Sequence, residues 1–349
     1  MLQPFYLFKR KAPLGVYILS RFLTMMVMLF LLGFAVFGLM ELAPGDIVSQ
    51  LMMQQLFATE SRMGRNQQNF SSEQLAAQRA ELGLDRPFYV QYFRWLGRVV
   101  VHRDLGLSLI SRAPVSFLIA SRLFNSVLLN LISLVLITFF SFFLGVYFST
   151  KAGTRTDLAV TFFALILHAF PGILLLILLQ LFASVTGLFP VTAYPPFPFA
   201  EAPLTFTFSY MHHIFLPLLA SFLGGIGGTL RMIRATMLDQ LGQPYITSLR
   251  ARGIGEWRIY FNHAFRNTLN PYITSSANLL ASLFSGSLIL EIIFAYPGIG
   301  RLMYEAVLQE DINLVLSNIM FISFLVLLGM VLADILLALV DPRIRYGKE

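Results

Sequence analysis

Long runs of apolar residues, separated by shorter polar loops, dominate the sequence. A membrane helix needs about 20 predominantly apolar residues to cross roughly 30 Å of hydrocarbon. Six runs approach or exceed that length, and they predict spans at about residues 22–42, 123–149, 158–185, 214–236, 272–294 and 314–340. No small-residue cleavage site follows the first run, so it is atypical of a signal peptide and favours a retained span.

A long polar segment lies between the fourth and fifth apolar runs at residues 231–271, RMIRATMLDQLGQPYITSLRARGIGEWRIYFNHAFRNTLNP. Its six arginines face only Asp239 and Glu256, which makes it too basic to be translocated easily. We interpret it as a folded cytoplasmic platform for a partner protein. The alternative interpretation is a surface helix, anchored at the lipid headgroups by Trp257, whose arginines face anionic lipid.

The platform pattern predicts two short helices joined by a glycine break. Residues 244–252 form the first, and Gly253 then supplies either a turn with positive φ or a close backbone contact. The second helix is predicted to begin at Gly255, run to Thr268 and end at Pro271.

Composition sets the class of the protein. The chain is 57% hydrophobic and 12% charged, with a mean hydropathy of +0.72, which excludes a water-soluble fold. The net charge is +7, but the basic residues are scattered along the flanks of the predicted spans and form no single basic domain, so no nucleic acid partner is expected. The chain has no cysteine, which excludes disulfides and thiolate chemistry. No G-x-x-x-x-G-K-[ST] motif occurs, and we expect no catalytic, cofactor-binding or metal-binding residues.

Orientation follows from the basic residues of the short loops. Lysine and arginine precede the first span, lie in the loop between the second and third spans, and follow the last span. The loop at about 186–213 has neither residue. Both termini are therefore predicted to be cytoplasmic. The resulting segments are a cytoplasmic N-terminal segment 1–21, the first transmembrane helix 22–42, an extracytoplasmic helical insertion 43–121, a five-helix core 122–340 that includes 231–271, and a cytoplasmic tail 341–349.

The insertion has its own helical signals. Ser71 and Gln74 are typical of a capping box, opening an amphipathic helix that ends near Leu82. A second helix is predicted after Pro87, rich in aromatic residues. We interpret these aromatics as an interface belt at the membrane surface, with substrate contact as the alternative.

Several separate blocks of the chain resemble one known family. They are Pro44-Gly45-Asp46, residues 82–87 (LGLDRP), residues 91–96 (QYFRWL), residues 104–108 (DLGLS), residues 250–253 (RARG), residues 263–267 (HAFRN), Glu291, residues 297–300 (PGIG) and residues 341–345 (DPRIR). In this order and spacing they resemble the B-type permease subunit of the dipeptide/oligopeptide/nickel ABC importers. Arg252 stands where many relatives have lysine, which keeps the charge.

The resemblance implies an all-α integral membrane protein, a type I ABC importer-like permease of six transmembrane helices in the inner membrane. It implies a second homologous permease, two ATPase subunits that bind ATP and magnesium, and an extracytoplasmic solute-binding protein. The cargo would be a short peptide, with nickel chelates and oligosaccharides left open. The residues matching the ATPase-coupling loop are Tyr245, Arg250, Ala251, Arg252, Gly253, Glu256, His263, Arg266 and Asn267.

A few polar residues fall inside apolar runs. Glu291 and Asp334 are costly in lipid, so they are expected to face protein or the translocation path. Pro171 predicts a kink, with a buried hydrogen bond expected for His168. Gly224 and Gly228 predict close helix packing.

Three other classes of protein remain to be weighed against the importer. An intramembrane hydrolase needs a polar catalytic pair at one depth, and the serine, histidine and aspartate residues here are dispersed. A receptor or scaffold has no need for a paired-helix platform. A secondary transporter predicts inverted repeats, which the sequence does not display.

Overall fold

The computed structural model describes residues 13–42, 86–274, 283 and 287–340. This part of the chain is helical, and its one β-type contact is an isolated bridge between Leu107 and Pro114. The α-helices are α1 (Pro13–Leu42), α2 (Phe88–Gly97), α3 (Val115–Ser149), α4 (Arg155–Ala169), α5 (Gly172–Thr186), α6 (Pro203–Leu241), α7 (Pro244–Ala251), α8 (Glu256–Arg258), α9 (Phe265–Thr274), α10 (Leu288–Ile293), α11 (Ile299–Leu308) and α12 (Ile312–Val340).

Four helices of the described residues are long and apolar enough to cross a membrane. They are α1, α3, α6 and α12. The helices α4 and α5 together would make a fifth span, bent by 93°. Residues 275–282 and 284–286 of the run at 272–294, which is expected to be a further span, lie outside the described residues. The chain is thus a multi-pass membrane protein.

The bend between α4 and α5 lies at the predicted kink. Phe170 is extended, with φ −72° and ψ 129°, and Pro171 follows it. The proline ring disfavours helical backbone at the residue before it, so the helix has to stop there. The expected buried hydrogen bond of His168 is wrong, because this side chain is exposed in the structure.

The chain divides into two compact units. The first comprises the described residues of Met1–Phe124 and Ile299–Val331, and the second those of Asn125–Gly298 and Leu332–Gly347. Each unit is helical and has its own buried apolar clusters.

In the first unit, α1 and α2 pack through Tyr92. Its ring is fully buried, 5.3 Å from that of Phe37, and its hydroxyl donates to the Phe30 carbonyl at 2.9 Å. A Cβ on Gly33 would lie 2.8 Å from the Tyr92 ring, so the glycine makes room for it. Tyr92 and Trp95 are therefore packing residues, not members of an interface belt or a substrate surface. Tyr89 and Phe93 are exposed, and for them the interface belt stays a prediction. The preceding predicted helix, from Ser71, lies outside the described residues.

A loop at residues 103–114, which contains the DLGLS block, is tied to the start of α12. Asp311 is buried and accepts hydrogen bonds from Ser108 Oγ at 2.5 Å, Leu109 N at 3.0 Å and Leu314 N at 3.1 Å. The last of these caps the helix, and the first two hold the loop. Asn313 adds a bond to the Leu107 carbonyl at 3.0 Å. One carboxylate thus organises both elements.

In the second unit, α4 and α6 approach closely through glycine. A Cβ on Gly227 would lie 2.5 Å from the Ala164 carbonyl oxygen. Gly228 faces His168, whereas Gly224 is exposed, and a Cβ there would meet no described residue within 4 Å. Of the predicted pair, Gly228 therefore packs against α4 and Gly224 meets no described residue, and Gly227 makes the tight contact with α4 that the prediction did not include.

Candidate functional site

Residues 231–241 of the predicted platform complete α6 in the structure, so the platform itself begins with α7. Gln243 is extended and precedes Pro244 at the first helical position, where its fixed φ suits the helix and its missing N–H costs nothing. Tyr245 fixes the helix to its surroundings, because its hydroxyl donates to Gln240 Oε1 at 3.0 Å and accepts from Asn267 Nδ2 at 3.3 Å. The predicted helix is present and ends one residue earlier, at Ala251.

The end of α7 is a Schellman motif. The Gly253 amide donates to the Arg250 carbonyl at 2.9 Å, and the Ile254 amide donates to the Leu249 carbonyl at 3.2 Å. Gly253 has φ +73°, the left-handed conformation that favours glycine. A Cβ built there meets no described residue within 4 Å. The turn, not a close contact within the described residues, therefore requires this glycine.

The second part of the platform is one continuous helical run with a π-helical turn. Gly255 is extended, and the run passes from α8 through the π-helical residues Ile259–Ala264 into α9. It continues past Pro271 to Thr274, so the predicted stop at this proline is wrong. Proline removes one backbone hydrogen bond but does not have to end a helix whose other contacts hold it.

An ion pair joins the two parts of the platform. Arg250 Nε and Nη2 donate to the two carboxylate oxygens of Glu256 at 2.7 and 3.1 Å. The hydrogen bonds from Arg250, and to a smaller extent the one from the Tyr260 hydroxyl, lower the pKa of Glu256. The hydrogen bonds to Glu256 in turn raise the pKa of Arg250. The side chains are 44% and 50% exposed, so the pair sets geometry more than stability. Burial, with Glu256 nearby, raises the pKa of Tyr260.

The underside of the platform is apolar and buried. Ile246 of α7 and Ile259 of the π-helical turn are fully buried with Ile233 and Met237 of α6. Val146 of α3 belongs to the same cluster. Because two long helices share this cluster with both parts of the platform, a force on the platform reaches α3 and α6 through packed side chains.

The opposite face is exposed and basic. Ala251, Arg252, Arg258, Arg266 and Asn267 are exposed, and His263 is half-buried. Arg252 and Arg266 have no ion-pair partner among the residues that the structure describes. The platform thus combines a rigid apolar base with cationic groups that face outward.

Glu291 and Asp334, expected to face protein or the translocation path, lie apart from the platform in sequence. Glu291 is 1% exposed and accepts a hydrogen bond from Ser126 Oγ at 2.7 Å. A Cβ on Gly298 would collide with the Glu291 carboxylate, so the glycine of the PGIG block leaves space for this buried group. Asp334 lies in α12, and its side chain is outside the described residues.

Sequence reasoning missed one buried ion pair in the second unit. Arg234 Nε and Nη2 contact the Asp157 carboxylate at 2.6 and 2.7 Å, and Asp157 is 1% exposed. The Gly153 amide also donates to it at 3.0 Å. The available signal was Thr154, which caps α4 and places Asp157 in its first turn. Nothing local indicated that Arg234 is the partner.

No group of three metal-ligating side chains occurs among the described residues. The adjacent histidines of α6 contact backbone instead: His212 Nε2 lies 3.0 Å from the Leu188 carbonyl oxygen, and His213 Nδ1 lies 2.6 Å from that of Thr192. They join α6 to the loop before it.

These features define a multi-pass membrane protein with a folded polar platform between apolar helices. The chain belongs to the family described as "Binding-protein-dependent transport system inner membrane component", which matches residues 137–346. The associated N-terminal family, "Binding-prot-dependent transport system membrane comp, N-term", matches residues 15–117.

Two curated relatives match nearly the whole chain, and a third matches about three quarters of it. The oligopeptide transport system permease protein AppB of Bacillus subtilis (strain 168) is 35% identical over 337 residues, 95% of this chain and 100% of that protein. "Probable peptide ABC transporter permease protein y4tP" of Sinorhizobium fredii is 29% identical over 335 residues, 95% and 100% of the two chains. The inner membrane ABC transporter permease protein YejB of Escherichia coli O157:H7 is 32% identical over 269 residues, 76% and 74%.

Proposed function

We propose that this chain is the permease subunit of an ATP-driven, binding-protein-dependent importer of short peptides. It forms half of the translocation pathway, together with a second homologous permease. Family membership supports the transport role, and the names of the relatives from Bacillus and Sinorhizobium support peptides as the cargo. The chain itself is not an enzyme and uses no cofactor; separate ATPase subunits bind ATP and magnesium and hydrolyse the nucleotide.

The observation that carries the coupling role is the construction of the platform. Arg252, which directly follows α7, and Arg266 of α9 face outward, and the apolar sides of both helices share one buried cluster with α3 and α6. Two ATPase subunits bind the cytoplasmic face of the transporter, one of them at this surface. When they close on ATP, the platform moves with them and carries α3 and α6, which opens the pathway outward to a solute-binding protein.

The topology that fits this role has six spans and cytoplasmic termini. The four long helices and the bent pair account for five spans, and the apolar run at 272–294 supplies the sixth. Residues 43–121 are then an extracytoplasmic insertion, and the platform lies on the cytoplasmic side of the inner membrane.

Single cysteines test the topology, because the natural chain has none. Glu201→Cys and Gln243→Cys both alter exposed positions outside helices. In intact cells an impermeant thiol reagent should label Glu201→Cys alone, and lysis should make Gln243→Cys reactive. Labelling of Gln243→Cys alone in intact cells would show that the true topology is the reverse of the proposed one.

Charge reversal tests the coupling. Arg252→Glu should weaken co-purification of the ATPase subunits, with a loss that is greatest at low salt, because exposed charges are screened within about 10 Å at 0.1 M salt. Arg112→Glu, at an exposed arginine of the loop 103–114, is the control and should leave the complex intact. Equal ATPase recovery from both variants would contradict the coupling role.

Uptake into reconstituted vesicles tests the cargo. With its binding protein present, the complete transporter should accumulate a labelled short peptide only when ATP is supplied on the side of the vesicle membrane that carries the ATPase subunits. Nickel chelate or oligosaccharide uptake without peptide uptake would contradict the peptide assignment, and accumulation driven by an ion gradient alone would contradict the importer.

A further inference from the structure

A cleft of about 580 Å³ lies between α4 and α6 in the second unit. Its lining includes Thr161 and His168 of α4 and Arg231 and Arg234 of α6. Gly228 opposes His168, and a Cβ there would lie 3.5 Å from the imidazole ring. The absence of a side chain at Gly228 therefore keeps this end of the cleft open.

The cleft carries an uncompensated positive charge. Arg234 is neutralised by Asp157, which it contacts through two hydrogen bonds. Arg231 is exposed and has no ion-pair partner among the described residues. The Thr161 hydroxyl is shielded from solvent, so it does not face the cleft. Arg231 thus offers the cleft an accessible guanidinium without a counter-charge among the described residues.

The helix α6 is long and apolar enough to cross a membrane, and α4 is so only together with α5. A charged side chain within such a helix is costly unless it meets a counter-charge or reaches the interface. Beside the cleft, Leu158, Phe162 and Leu165 lie on one face of α4 at helical spacing, and all three are exposed. A ligand that satisfies the whole surface has an anionic head for Arg231 and hydrocarbon for these three side chains.

We propose that the cleft binds a phosphate-bearing anion, supplied in the membrane by the headgroup of an anionic phospholipid. The planar Arg231 guanidinium suits two oxygens of a phosphate. The acyl chains lie along Leu158, Phe162 and Leu165. Assignment to the cytoplasmic leaflet rests on the proposed topology, whereas the anion site does not depend on what the permease transports.

Native mass spectrometry of the detergent-purified full-length chain tests the site. The protein is titrated separately with phosphatidylglycerol and phosphatidylcholine, and inorganic phosphate is then added as a competitor. Arg231→Gln should weaken phosphatidylglycerol binding about tenfold, since it removes a charge-assisted hydrogen-bonding pair. Arg155→Gln is the control, because this exposed arginine begins α4 outside the cleft, and it should bind like the natural chain.

The outcomes separate the possible sources of the anion. Preference for phosphatidylglycerol that inorganic phosphate does not reverse supports the lipid, and displacement by inorganic phosphate at similar concentration supports a free phosphate ligand. Equal binding of both lipids, or equal loss in the Arg231 and Arg155 variants, would overturn the proposal. So would a cross-link from position 231 to an acidic segment of the second permease in the assembled transporter. None of these readouts measures transport, so failure here leaves the importer assignment untouched.

Discussion

Replacing Gly253 by alanine isolates the left-handed turn that ends α7. An L-residue in this conformation costs about 1–2 kcal/mol. The control is Gly255→Ala, because Gly255 is in the same exposed loop but has φ −63° and ψ 141°, which alanine adopts without strain. A Cβ at either position meets no described residue within 4 Å. Differences between the variants therefore come from backbone conformation.

The comparison also removes the contribution of the unfolded chain. Any glycine-to-alanine change lowers the entropy of that state, by about 0.4–1 kcal/mol, and this contribution is common to the two variants. What remains is the strain of 1–2 kcal/mol, equivalent to roughly a 5- to 30-fold difference in the local opening equilibrium. The Ile254 amide, bonded to the Leu249 carbonyl at 3.2 Å, reports that opening.

Hydrogen exchange of the peptide containing residues 249–258, measured in the purified protein, is the assay. Exchange at Ile254 should be about 5- to 30-fold faster in Gly253→Ala than in Gly255→Ala. Gly253→Asn should fall between them, because asparagine tolerates the left-handed region better than alanine. If the two alanine variants exchange within about twofold of each other, the strain argument is refuted. In the assembled transporter, peptide-stimulated ATP hydrolysis should follow the same order.

Three other perturbations test contacts away from this turn. The contact with Arg250 lowers the pKa of Glu256, so the ion pair is present near neutral pH and is lost as the pH falls through that lowered pKa. Hydrogen exchange of α7 should therefore rise at acid pH in the natural chain, and Glu256→Gln should abolish this rise. Asp311→Ala leaves three donors without an acceptor and should cost about 2–4 kcal/mol in a denaturation series. Gly298→Ala should lower thermal stability by several degrees because its Cβ collides with a buried carboxylate, whereas Gly172→Ala, where the new methyl has no neighbour among the described residues, should not.

Local pattern was sufficient for the membrane class and for much of the platform. Apolar runs of about 20 residues predict spans because the backbone in lipid has to bond within its own helix. The break at Pro171 and the end of α7 at Gly253 follow from backbone rules that involve only neighbouring residues. The same rules failed at Pro271, where the helix continues. Propensity near a proline is one contribution among many, and the rest of the helix outweighed it.

Tertiary structure alone decided which polar side chains meet. Asp311 holds Ser108 from about 200 positions away, Arg234 reaches Asp157 across 77 positions, and Ser126 bonds Glu291 across 165. Periodicity and capping signals extend over a few residues, so they identify a residue that needs a partner without identifying that partner. The partner is set by which helices pack together, since a buried charge or hydroxyl is stable only where the fold brings it a complementary group.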